Sequence, residues 1–108
     1  MNVTKSTEST SEQPKMLTVA RQRINTLDQQ IVGLLAQRFD AVTMVNEAKR
    51  TANLPVMDHG REDQVLDRVA QLDPNPATRK YMRDIYQHIM RNSREYQDDL
   101  TAARDTTH

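Results

Sequence analysis

Arg38 stands inside "IVGLLAQRFDAV", seven residues after Ile31 and seven before Val45, on an apolar stripe that recurs at helical spacing. A guanidinium keeps its charge, and burying one without a partner is very costly. Something anionic should therefore meet it. Ser93 continues the series Met82, Ile85, Ile89, and Gln97 follows it by four residues, so a hydroxyl and an amide face the same way. Arg21 and Lys49 border the stripe that carries Arg38, and "DHGRE" sets Asp58, Arg61 and Glu62 at a bend. The set holds four cations, two carboxylates, a hydroxyl and an amide. An excess of cations beside apolar stripes suits an anionic ligand, and arginine grips carboxylates through paired hydrogen bonds. The means for other chemistry are missing. His59, His88 and His108 show no metal-ligand spacing, and the chain has no Gly-rich phosphate loop and no nucleophile elbow. Neither a metal nor a cofactor is expected.

Each of these residues also has a structural reading. Arg21 and Lys49 can be solvated flanks whose stems lie along apolar surface. Asp58 can cap a helix. Ser93 can bond back to a carbonyl of its own helix. Gln97 can be surface. Arg38 and Glu62 can form an ion pair across helices. His59, beside Gly60, reads as a surface residue in a turn. The set carries more weight than any member.

Long helices must position these groups. The first is expected from about Lys15 to about Ala52, with Leu17, Ala20, Ile24, Leu27, Ile31, Leu34, Ala41, Val45 and Ala48 on its apolar face. Gly33 is its weak point. Pro55 and Gly60 break the chain in "TANLPVMDHG". A short helix at about 61–72 follows, with Val65, Leu66, Val69 and Leu72 on one face, and "DPNP" ends it. The third helix is expected at about 77–102, with Met82, Ile85, Ile89, Met90, Tyr96 and Leu100 on its stripe. No segment alternates as a strand does, so the fold class is all-α with three helices.

The first helix is roughly 55 Å long by the helical rise. A compact domain of this size has a radius of gyration of about 13 Å. The rest of the chain is too short to cover such a stripe, so a homodimer is expected in preference to a long intramolecular hairpin. From Arg21 to Lys49 is 28 positions, roughly 42 Å along one helix. If both serve one pocket, Arg21 must come from the partner subunit, and an antiparallel dimer then holds two equivalent shared pockets.

Composition narrows the remaining classes. The chain has 108 residues, enough for one small domain, and 15 Lys+Arg balance 15 Asp+Glu. That balance offers no case for nucleic acid or a membrane surface. With no cysteine there is no disulfide or thiolate chemistry, and with 4% aromatics the core must come from Leu, Ile, Val, Met and Ala. "MNVTKSTESTSEQPK" has no apolar run and reads as a disordered tail over 1–15, neither a signal peptide nor a membrane span. The helical domain is placed at 16–103 and a short C-terminal tail at 104–108. A cytoplasmic location is expected.

"ARQRINTLDQQIVGLLAQRFDAVTMVNEAKR", "LPVMDHGRED" and "IMRNSREYQ" together resemble the all-helical bacterial (type II) chorismate mutases over about residues 17–100. The arginine, the "LDxQIxxLLAxR" core, the lysine, the "PVxDxxRE" bend and the "SxxxQ" of the last helix stand in family order and near-family spacing. The resemblance implies an intertwined dimer of three-helix chains with two shared sites. It also implies rearrangement of chorismate to prephenate, on the route to phenylalanine and tyrosine. By it, Arg21 of the partner and Arg38 would clamp the substrate carboxylates with Ser93 assisting. Lys49 and Gln97 would donate to the ether oxygen of the breaking bond. Glu62, with the backbone at Asp58, would hold the ring hydroxyl, and Arg61 would lie at the pocket edge. The neighbouring readings on the same scaffold are an isochorismate pyruvate-lyase and a 4-amino-4-deoxychorismate mutase. A non-catalytic dimerisation module would keep the stripes without needing Arg38, Ser93 and Gln97 on them.

Overall fold

Three helices account for the chain in its computed structural model, which describes the backbone of residues 3–106 and the side chains of residues 12–105. They are α1 (Val3–Thr51), α2 (His59–Leu72) and α3 (Arg79–Thr106). No strand occurs among the described residues. The all-α class and the three-helix order expected from periodicity are therefore found. The ends differ. Helical backbone begins at Val3 and runs through Pro14, ahead of the start expected near Lys15. The side chains of residues 1–11, most of the expected tail, lie outside those described, as do residues 107 and 108.

The end of α1 is built by a specific cap. Asn53 takes a left-handed φ of 58°. The Leu54 amide then reaches the Lys49 carbonyl at 2.7 Å and the Asn53 amide reaches the Arg50 carbonyl at 3.1 Å. This is the Schellman pattern, in which asparagine accepts the left-handed position and proline follows because the helix cannot continue. Pro55 stands one residue beyond the capped turn.

Helix α2 opens on Asp58, whose carboxylate accepts from the Arg61 amide at 3.0 Å, with extended backbone at the cap. That satisfies one of the amides every helix start leaves unpaired. At the other end Asp73 organises the α2–α3 turn. Its carboxylate accepts from the Asn75 amide at 3.0 Å and the Thr78 hydroxyl at 2.5 Å. Its carbonyl accepts from Arg79 Nε at 2.9 Å. "DPNP" thus ends α2 through side-chain bonds as well as through its prolines.

The chain divides into two compact units, one ending at Arg38 and one beginning at Phe39. In the second, α2 packs against α3, burying Leu66, Val69 and Met90. The last turns of α1 bury Val42 and meet α3 through an edge-to-face contact of Phe39 with Tyr96, centroids 5.2 Å apart. Such pairs add to area burial because ring edge and ring face carry opposite partial charge. Arg104 closes the far end on Glu47 at 3.2 Å. Within the first unit the expected apolar face is open: Ile24, Leu27, Ile31 and Leu34 are all about half exposed or more. Val45, expected on the same stripe, is 45% exposed, and the buried positions of the last turns are Val42 and Asn46 instead.

Candidate active site

The expected site residues fall on both units. Arg21 and Arg38 belong to the first, Arg21 exposed and Arg38 half-buried. The other six belong to the second.

Lys49 sits at the capped end of α1, where its carbonyl is held by Leu54. Its ammonium is half-buried and donates to the Val56 carbonyl at 2.7 Å. An ammonium has three donors. The bond to Val56 fixes the side chain across the bend and leaves donor capacity for a ligand. Asp58 and Arg61 are exposed and occupied in starting α2. The Asp58 carbonyl takes the Glu62 amide at 3.0 Å, so the structural reading of Asp58 as a cap is correct whatever else its backbone does.

Ser93 and Gln97 lie one turn apart on α3, 7% and 6% exposed. The surface reading of Gln97 is thereby excluded. The Ser93 hydroxyl donates to the Ile89 carbonyl at 2.9 Å, as the back-bonding reading anticipated. A hydroxyl has one proton to donate, so donating to a ligand carboxylate means releasing Ile89. Gln97 is different. Its Oε1 is buried with no hydrogen-bond partner. Leaving a buried amide oxygen unpaired costs about 1–3 kcal/mol. A half-turn of the amide would present its Nε2 in the same place, since the two ends are nearly isosteric.

Two residues were missed by the sequence reading. Asn46, buried at 3% exposure, also leaves its side-chain oxygen without a partner. It follows Val42 by one helical turn, and that spacing could have marked it. Arg94 was the other. Its Nη1 donates to both oxygens of Glu62, at 2.6 Å each, joining α3 to α2. Glu62 was expected to pair with Arg38 if it formed a structural bridge; its protein partner is Arg94. A cleft of about 410 Å³ lies between α2 and α3, with Glu62, Leu66, Met90 and Arg94 among its walls. Of the expected site residues it touches Glu62 alone.

Two carboxylates are tuned by their surroundings. The Thr78 hydroxyl and then the Asn75 amide hold Asp73 below the usual carboxylate range. Arg50, by hydrogen bond and charge, does the same for Glu47. Neither is an expected site residue. Among the described residues no group of His, Asp and Glu could hold a metal ion, and no helix is long and apolar enough to cross a membrane.

Residues 20–98 match the family model for chorismate mutase type II. That span encloses all eight expected site residues. The chain is 33% identical over 85 residues to the bifunctional chorismate mutase/prephenate dehydratase of Escherichia coli strain K12, and equally to those of Escherichia coli O157:H7 and Shigella flexneri. The match covers 78% of this chain and 22% of each relative, so it spans about a fifth of their length. No solved structure matches the chain.

Proposed function

Because the chain belongs to the chorismate mutase type II family, we propose that it catalyses the rearrangement of chorismate to prephenate in aromatic amino-acid biosynthesis. The observation that carries this is the family match over residues 20–98, which contains Arg21, Arg38, Lys49, Asp58, Arg61, Glu62, Ser93 and Gln97.

The reaction is unimolecular and pericyclic. The ether C–O bond breaks as the far carbon of the enolpyruvyl arm bonds to the ring, and no proton leaves or enters. No nucleophile, metal or general base is required. What is required is a flexible dianion held with its reacting carbons together, and donors aimed at the oxygen that gains charge. Arg38, and Arg21 of the partner subunit, grip the two carboxylates, with Ser93 assisting once its hydroxyl turns from Ile89. Lys49 and Gln97 donate to the ether oxygen. The Val56 anchor restricts where the ammonium can point, and the buried Gln97 Oε1 lacks a protein partner. The first supports an ammonium set before the substrate arrives, and the second an amide free to turn its Nε2 toward the ether oxygen. Glu62 and the Asp58 backbone hold the ring hydroxyl, and Arg61 lies at the edge.

The assembly is a homodimer with two shared sites. Its support is the open apolar face of α1, where Leu17, Ile24, Leu27, Ile31 and Leu34 are 46–64% exposed. A face of that kind on one chain calls for a second copy.

The test supplies chorismate, isochorismate and 4-amino-4-deoxychorismate separately to purified protein and identifies each product by NMR. Prephenate from chorismate as the fastest reaction is expected. Pyruvate and salicylate from isochorismate as the fastest would assign the lyase instead. No turnover of any of the three by a dimeric, folded protein would leave the dimerisation module.

A further inference from the structure

The Glu62–Arg94 pair does more than join two helices. We propose that Arg94 is the residue that makes this site select a neutral ring hydroxyl over a ring ammonium at the position Glu62 holds. The proposal rests on the reading of Glu62 as the acceptor for that ring substituent.

A carboxylate alone accepts from a hydroxyl or from an ammonium, and it favours the ammonium by charge. Glu62 is not alone. One guanidinium nitrogen, Arg94 Nη1, sits 2.6 Å from each of its oxygens. Both side chains are largely withdrawn from water, 21% exposed for Glu62 and 27% for Arg94. The two charges therefore cancel over a short distance in a poorly screened place. An ionised carboxylate offers about four lone-pair positions. Arg94 occupies one on each oxygen, so the group can still accept from a ligand O–H. The hydrogen-bonding function survives while the net charge does not. An ammonium that reached either oxygen would come within a few ångströms of the guanidinium and be repelled by it. A hydroxyl carries no charge and is indifferent to it.

The position of Arg94 fits this role. It directly follows Ser93 and stands three residues before Gln97, so one turn of α3 carries all three. Ser93 and Gln97 are buried, and Arg94 is half-buried. It also lines the α2–α3 cleft together with Glu62. A purely structural bridge between α2 and α3 already exists elsewhere: Arg83 pairs with Asp67 at 2.7 Å, both substantially exposed.

The experiment measures kcat/KM for chorismate, and the competitive inhibition constant of 4-amino-4-deoxychorismate against it, for the wild type and for Arg94→Met, Arg94→Lys and Glu62→Ala. Removing a like charge at about 5 Å in a partly screened site is worth at least about tenfold. Arg94→Met should therefore tighten the ammonium analogue relative to chorismate by about tenfold or more. Arg94→Lys keeps the charge and should retain the wild-type preference. A structural role predicts otherwise: Arg94→Met would weaken both ligands by one common factor, and that result overturns the proposal. If Arg94→Met does not fold, Arg94→Gln takes its place with the same two outcomes. Glu62→Ala, which removes the acceptor, separates the underlying reading. Unchanged chorismate kcat/KM in that variant shows that Glu62 does not hold the ring substituent, and then both fall. A loss there with an unmoved Arg94→Met preference overturns the Arg94 proposal alone.

Discussion

Replacing Gln97 with methionine separates a catalytic amide from a structural one. The two side chains have similar length, and methionine adapts to irregular gaps. In the structure Gln97 is 6% exposed and its Oε1 has no hydrogen-bond partner. An unpaired buried acceptor costs about 1–3 kcal/mol. Methionine removes that cost and adds buried apolar surface, while losing whatever weaker contacts the amide nitrogen makes. A net gain of about 1 kcal/mol is expected, which for a domain of this size raises Tm by roughly 4–8 °C. Activity should move the other way. Losing one donor to a developing negative charge typically costs about 10²–10³ in kcat. The assay pairs thermal melts of substrate-free wild type and variant, at equal protein concentration because a dimer's Tm depends on it, with initial rates of chorismate loss. A variant that melts several degrees lower yet turns over nearly normally would refute the reasoning, since Gln97 would then be holding helices together.

Three further outcomes follow from the same geometry. Gln97→Glu should be impaired at neutral pH, because an ionised carboxylate only accepts. It should recover as pH falls and the buried acid, its pKa raised by desolvation, becomes a donor; a pH profile of kcat/KM parallel to the wild type would oppose this. Mixing Arg21→Ala and Arg38→Ala subunits should restore about one working site per heterodimer, and a mixture as inactive as either parent, with subunit exchange demonstrated, contradicts shared sites. Asp73 has its folded pKa lowered below the ordinary 3.8 by Thr78 and Asn75. Its contribution to stability is therefore present above that ordinary value and is lost as pH falls through the lower folded one. Asp73→Asn should melt a few degrees lower at neutral pH and converge on the wild type in strong acid, as read by circular dichroism.

Much of the fold was legible because helix periodicity and chain breakers are local signals. The apolar spacing of α1, the stop at Pro55 and the Asp58 start of α2 are written in neighbouring residues. The early start of α1 was not. Its first turns are Ser, Thr and Glu with Pro14 inside, which carry no apolar stripe to read. Near the end of α1 two apolar spacings overlap, Val42 beside Ala41, Val45 and Ala48; packing against α3, through Phe39 and Tyr96, buries Val42 and leaves Val45 45% exposed, which only the tertiary contact decides. The burial of Ser93 and Gln97 was legible because a polar residue on an apolar stripe is visible without a structure. Arg94 was not, since its meaning depends on Glu62, a residue of another helix, and only the α2–α3 packing brings them together.

The most direct measurement is the fate of chorismate in the presence of the purified 108-residue chain, followed by absorbance with the product identified by NMR. Chorismate should be consumed enzymatically with one prephenate formed per molecule lost. The rate should be undiminished by a metal chelator and should fall by orders of magnitude in Arg38→Ala, while that variant remains folded. Chorismate lost no faster than in buffer, or Arg38→Ala turning over as the wild type does, would contradict the account.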